Sequence, residues 1–173
     1  MTRRRNWIRS GFRGDSSPLR DLWPFLPSVS RFSLTVENSA GGASRISHRG
    51  SGHVRIESSV SATDSSIIWH EAGRWTAGPL AGISFRNTTA WRREGDRPGL
   101  HLSHLRRGVL SPTFLATLQP DPSGVWVAEE PHLCGPDCYY PALTWQPGRL
   151  SLRWDVRSPT DPYSLHFEGW REA

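Results

Sequence analysis

The chain has 173 residues, a formal net charge of +5 and a hydrophobic content of only 36%, which nine tryptophans and six phenylalanines partly offset. This length suits one domain around a single core and is too short for two full domains. No stretch approaches the roughly 18 consecutive apolar residues of a membrane helix, so the composition excludes a helical membrane protein and predicts a soluble one.

The basic residues are biased in kind and in position. All 21 are arginine, and the chain contains no lysine, which indicates a GC-rich, bacterial coding genome. Six of these arginines fall within the first twenty residues. We therefore expect residues 1–18 to be a disordered basic arm and residues 19–173 to form the folded domain. The arm lacks the apolar region and cleavage site of a secretory signal, which predicts a cytoplasmic protein.

Past the arm, the sequence predicts strands joined by tight turns. Residues 18–26 could form a short helical turn, and apolar and polar residues alternate thereafter with the period of two that half-buried strands show. The predicted strands are residues 31–37, 45–60, 67–76, 83–93, 100–105, 113–118, 125–130, 137–145, 149–156 and 163–170. Turn residues separate them, for example at 38–43 and 146–148. This pattern predicts an all-β fold, an antiparallel up-and-down β-barrel of eight to ten strands.

One short segment concentrates the chemically active residue types. His132, Cys134, Asp137 and Tyr139 lie within eight residues. In an extended chain, residues two apart share a face, so Asp137 and Tyr139 should point together, as should His132 and Cys134. At a barrel mouth such a set could orient a small ligand. The alternative is structural, with Asp137 capping the turn and His132 filling a polar edge.

The same segment carries a family resemblance. The string His-x-Cys-Gly-x-Asp-x-Tyr at 132–139 and the Trp-x-Val segment at 154–156 resemble a bacterial and fungal domain-of-unknown-function family of small lipocalin-like or nitrobindin-like (calycin) β-barrels. The segment Trp-His-Glu-Ala-Gly at 69–73 is similar to a strand of such barrels. The resemblance implies a lipocalin-like barrel. The family's usual basic pair before Tyr163 is missing here, which speaks against anion binding at that turn.

Catalytic and cofactor interpretations are weaker. A triad of His132, Cys134 and Asp137 is disfavoured, because catalytic Cys and His usually come from distant parts of a chain and no helix N-terminus is predicted to activate the thiol. Nitrobindin-like barrels hold haem through a histidine, and His104 would suit that role better than His166. We predict no cofactor, haem included.

The two cysteines, Cys134 and Cys138, lack companions for a four-ligand zinc site, so no metal is predicted. In a cytoplasmic protein they should be reduced, although the sequence leaves a disulfide open.

The sequence therefore favours a non-catalytic binding module for a small, partly apolar ligand. The predicted ligand-binding residues are His132, Asp137, Tyr139, Trp154 and Tyr163. One alternative is an isomerase or hydrolase with Asp137 or His132 as general base. Another is a structural or interaction protein, in which tryptophan side chains fill the interior of the barrel. We expect a small-molecule partner and neither a specific nucleic acid nor a membrane, because the tryptophans follow the apolar alternation instead of forming a stacking platform. Oligomeric state stays open.

Overall fold

The computed structural model describes residues 18–38, 47–60, 64–94, 99–106 and 108–172. The described chain begins with helix α1, Pro18–Phe25, and a 3-10 turn, Leu26–Ser28, and continues entirely in strands. The strands are β1 Arg31–Asn38, β2 Ser47–Val60, β3 Asp64–Ala77, β4 Ser84–Glu94, β5 Leu100–His104, β6 Thr113–Pro120, β7 Trp126–Ala128, β8 His132–Cys134, β9 Asp137–Gln146, β10 Arg149–Arg157 and β11 Tyr163–Trp170.

Ten of these strands close into a barrel. Each pairs antiparallel with its neighbours in the order β1, β2, β3, β4, β5, β6, β7, β9, β10 and β11, and β11 pairs back onto β1. The closure removes the free sheet edges that an open sheet would expose. The predicted all-β, up-and-down barrel is therefore confirmed, with ten strands in the wall.

Strand β8 stands outside the ring and was not predicted. Both β7 and β8 pair with the same edge of β9, β7 at Leu143 and Ala142 and β8 at residues 139–137. They act as one strand interrupted between Ala128 and His132. The sequence predicted a single strand over 125–130, but Pro131, which lacks a backbone N–H, and two exposed glutamates before it break the pairing.

Helix α1 and the 3-10 turn close one end of the barrel. Leu22 and Leu26 are fully buried against the core, and the indole Nε1 of Trp69 donates a hydrogen bond to the Leu26 carbonyl oxygen at 3.2 Å. The Phe25 and Trp145 rings pack with centroids 6.0 Å apart. This end is consequently filled with apolar and aromatic side chains, which we call the plug.

The wall beside β2 and β3 depends on glycine. A Cβ added at Gly73 would lie 2.7 Å from Cζ of Phe85 and 2.6 Å from the Ser51 carbonyl oxygen, and one at Gly52 would lie 2.1 Å from the Ala72 carbonyl oxygen. The two glycines are cross-strand partners. Their missing side chains let the two strands approach and let the Phe85 ring pack against β3.

The last residues of β1, β3, β5, β8 and β10 lie at the other end, which we call the mouth. Within the described residues, the large apolar side chains that are exposed all belong to the mouth side of the barrel. They are Leu80, Ile83, Val109, Leu110, Phe114 and Leu133, and Leu110 is 98% exposed. No helix in the described part of the chain combines the length and apolarity needed to span a membrane.

The strand positions agree with the sequence predictions, apart from β8 and shifts at strand ends. The predicted helical turn is α1, and the proposed arm lies outside the described residues except for Pro18. The turn predicted at 38–43 also lies mostly outside them. Trp69 is buried in the core as expected, and Trp75, Trp145 and Trp154 are half-buried.

Candidate functional site

A cavity of about 970 Å³ occupies the barrel between the plug and the mouth. Aromatic and aliphatic side chains form most of its wall, among them Trp69, Trp91, Leu102, Trp154 and Phe167. Tryptophan side chains therefore do not fill the whole interior of the barrel, as the interaction-protein alternative would require. Two clusters of polar side chains line the cavity, one on β9 and β11 and one on β3 and β4.

Four of the five predicted site residues line this cavity: His132, Tyr139, Trp154 and Tyr163. The β8–β9 hairpin brings the first two together, because His132 and Tyr139 are cross-strand partners with ring centroids 5.8 Å apart. Asp137 pairs with Cys134 at the tip of this hairpin and is not part of the cavity wall. Its place at the rim follows from its position at the first residue of β9.

The two tyrosines form the polar group on this side of the barrel. Tyr163 interacts with Tyr139, and the Tyr139 ring packs edge-on against Trp154, with ring centroids 6.5 Å apart. Burial raises the pKa of Tyr163, and the neighbouring Tyr139 and the negative charge of Asp137 raise it further. The Tyr163 hydroxyl therefore stays protonated near neutral pH and can donate or accept a hydrogen bond.

The second polar group is a trio that the sequence analysis did not identify. The Glu71 carboxyl, only 9% exposed, accepts hydrogen bonds from Asn87 Nδ2 at 3.0 Å and from Thr89 Oγ1 at 2.8 Å. Asn87 Nδ2 also contacts Thr89 Oγ1 at 3.1 Å. Asn87 is the cross-strand partner of Glu71, and Thr89 lies one inward-facing position nearer the plug. All three line the cavity.

Burial dominates the electrostatics of Glu71. Desolvation raises the pKa of its carboxyl, and the hydrogen bonds from Asn87 and Thr89 lower it in part. Within the described residues, no arginine or histidine forms a salt bridge with this carboxyl. A buried carboxyl without a charged partner, inside a cavity, is a common feature of functional sites.

Strand parity was the signal that could have revealed Glu71, the central residue of this trio. Residues two apart share a face, so Glu71 had to point inward with Ile67 and Trp69. In the sequence, residues 69–73 indicated only the fold. A carboxylate on an otherwise apolar face is unusual enough to indicate a site by itself.

The trio faces the tyrosine pair across the barrel. Strand β9 stands five places from β3 in the ring of ten, so Tyr139 and Glu71 project from opposite walls. His104 lines the cavity beside Thr89, its cross-strand partner. Burial lowers the pKa of His104, and the charge of Arg106 lowers it further, so the imidazole is neutral at neutral pH.

His166 and the two cysteines do not belong to the two polar clusters of the cavity. His166 points outward, and its Nε2 contacts Ser151 Oγ at 2.7 Å. Cys134 and Cys138 are free. They lie on opposite faces of the hairpin, because Cys138 pairs with Leu133, the residue next to Cys134, and adjacent residues of a strand face opposite ways. The described residues contain no group of three or more metal-ligating side chains.

Comparison with known proteins identifies the family of this chain. Neither the curated proteins nor the solved structures gave a match. The family described as "Family of unknown function (DUF6314)" matches residues 30–168, which run from the residue before β1 into β11 and so span all ten barrel strands. The chain therefore belongs to this family of unknown function, whose matched region is a ten-stranded antiparallel barrel.

Proposed function

We propose that this protein is a non-catalytic, lipocalin-like binding protein that holds a small, partly apolar ligand inside its barrel. The observation that carries the proposal is the cavity of about 970 Å³, closed by the plug and open at the mouth. Small-molecule sites are typically concave, mostly apolar and about 300–1,000 Å³ in volume. A barrel that served only as an interaction surface would have no use for this interior space.

The polar groups support the same function. Two separated groups, the tyrosine pair and the Glu71 trio, interrupt walls that are mostly apolar. In a ligand site, a few such groups fix orientation while the apolar wall supplies most of the affinity. We assign His132, Tyr139, Trp154 and Tyr163 to direct contact with the ligand. We give Asp137 an indirect role, through its charge on Tyr163.

Native mass spectrometry of protein purified from its own host tests this proposal, because a retained ligand adds a defined mass. Leu165 lines the cavity, whereas the next residue on β11, His166, points outward. The variant Leu165→Trp should fill part of the cavity and remove the added mass, and His166→Trp should retain it. Loss of the ligand from both variants, or a wild-type protein that carries and accepts none, would contradict the proposal.

An enzyme is the second candidate, favoured by the raised pKa of the buried Glu71 carboxyl. Such a group can act as a general acid or base. The sequence suggests His132 or Asp137 as the general base instead of Glu71. Of these two, His132 lines the cavity and Asp137 does not. Incubating the recovered ligand with the protein separates the two functions, because a binding protein returns it chemically unchanged.

A further inference from the structure

The Glu71 trio has a hydrogen-bonding pattern that restricts what it can bind. Both hydrogens of Asn87 Nδ2 are used, one toward Glu71 Oε2 at 3.0 Å and one toward Thr89 Oγ1 at 3.1 Å. The Thr89 hydroxyl donates to Glu71 Oε1 at 2.8 Å. The opposite orientation of the amide would place its oxygen against the carboxylate. With the carboxylate ionised, the trio has therefore spent its donors internally.

Only acceptors are left to face a ligand. Each oxygen of an ionised carboxylate can accept more than one hydrogen bond, and each Glu71 oxygen accepts one from the protein. The Asn87 carbonyl oxygen is a further acceptor. A ligand that reaches this patch must bring hydrogen-bond donors, because a ligand group that only accepts would meet oxygen lone pairs.

The surroundings of the trio favour a positive charge. Trp69 and Trp91 line the cavity beside it, with ring centroids 5.0 Å apart, and Phe85 lines it on the mouth side. Aromatic faces attract cations, most strongly when water is excluded. A buried carboxylate without an ionic partner is costly, and a cation that enters the site removes much of that cost.

The other charged or titratable groups of the cavity do not supply that cation. His104 is neutral near neutral pH, and His132, Tyr139 and Tyr163 lie toward the mouth on β8, β9 and β11. Arg106 is exposed at the rim, and its charge acts on His104. Glu71 is thus the acidic group deep in the cavity, and a cation that pairs with its ionised form must come from outside the chain.

We propose that the ligand is an organic amine, an apolar body with a protonated amino group that enters first and binds the carboxylate of Glu71. The inference rests on the proposed binding function and names the ligand class for the same cavity. The apolar body would lie between Trp154 and Phe167, with its outer end near the tyrosine pair.

Calorimetric titration with three probes of one chain length, n-octylamine, n-octanol and octanoate, tests the ligand class near neutral pH. The amine is protonated there. We expect wild-type protein to bind the amine about tenfold or more tightly than the alcohol, and octanoate most weakly, because charge-assisted hydrogen bonds are the stronger ones. Equal binding of amine and alcohol, or a preference for octanoate, overturns the inference.

Variants locate the binding group. Glu71→Gln keeps the size of the side chain and should weaken amine binding about 10- to 100-fold, with little change for the alcohol. Glu57→Gln removes the same charge from the exposed outer face of β2 and should change nothing. Unchanged amine binding by a folded Glu71→Gln variant would show that Glu71 does not bind the amino group. The wild-type series decides the ligand class whether or not that variant folds.

Different results would contradict the binding function and the ligand class. If none of the three probes enters the cavity and the purified protein carries no ligand, the binding function itself is wrong. If the probes enter without preference for the amine, the binding function stands and the ligand class is wrong.

Discussion

Glu71 illustrates how a strand can carry a polar group into an apolar interior. Its position on β3 places it between Trp69, which bonds to the plug, and Gly73, which makes room for Phe85. Burial of a carboxyl without partners would be strongly destabilising. The amide of Asn87 and the hydroxyl of Thr89, both from the neighbouring strand, supply the partners that make this burial tolerable.

The buried carboxyl should make the stability of the protein depend on pH. The folded-state pKa of Glu71 is raised above its ordinary value of 4.5, so the folded state holds this proton longer than the unfolded chain does. Its favourable contribution is complete below pH 4.5 and is lost as pH rises through the folded-state pKa. We expect the unfolding free energy of wild-type protein, relative to Glu71→Gln, to fall across this range. Urea unfolding at a series of pH values measures it.

The difference in unfolding free energy between wild type and Glu71→Gln isolates the titration of the Glu71 carboxyl. His104 acts in the opposite direction, because its pKa is lowered from 6.5 and its contribution is lost as pH falls. It is present in both proteins and cancels in the difference. Glu57→Gln, on the exposed outer wall, is the control and should show no such trend. A pH-independent difference between wild type and Glu71→Gln would contradict the account.

The close packing of β2, β3 and the Phe85 ring requires a glycine at position 73. Gly73→Ala would place a Cβ 2.7 Å from the Phe85 ring and 2.6 Å from a backbone oxygen, so the ring and the strand must both shift. We expect a loss of about 1–3 kcal/mol in unfolding free energy, the usual cost of overpacking a core. Chemical denaturation monitored by tryptophan fluorescence measures it.

Gly99 offers the matched control. A Cβ added there meets only the Thr117 side chain, at the ordinary contact distance of 3.6 Å. Gly99→Ala should be neutral or stabilising by about 0.4–1 kcal/mol, because alanine restricts the unfolded chain. Equal effects of the two substitutions would show that the close approach at Gly73 is not what matters.

The elements show which parts of the architecture local sequence determines. Alternation of apolar and polar residues marked the wall strands, because one face of a wall strand is buried and the other meets water. Strand β8 was missed, because it has three residues and is defined by its pairing with β9. Alternation thus predicted the barrel wall but not this short strand.

The sequence placed part of the cavity wall correctly. His132 and Tyr139 lie on one hairpin, so spacing alone could place them together, and Trp154 and Tyr163 follow on the next two strands. Asp137 shares a face with Tyr139 but does not line the cavity. The Glu71 trio joins two strands, and no local pattern links Glu71 to Thr89. Such a cluster becomes visible only once the register between β3 and β4 is known.

At the scale of the molecule, closure makes the wall a single cooperative unit. Every barrel strand has hydrogen-bonded neighbours on both sides, and β11 and β1, the last and first strands, are paired with each other. Opening any one strand therefore breaks pairing on two sides and exposes the core. Strand β8 differs, because it pairs only with β9 and lies at the mouth.

Hydrogen exchange should reveal this difference. We expect the protected amides of β1, β3 and β10 to exchange through global unfolding, with one common free energy and a steep dependence on urea. The amides of β8 should exchange through a local opening that costs less and responds weakly to urea, because few residues and little apolar surface are released. Native-state exchange followed by NMR at increasing urea concentrations measures both. Protection of β8 equal to that of β10 would show that the hairpin carrying His132 is part of the rigid wall, and the mouth would then be fixed in shape before any ligand arrives.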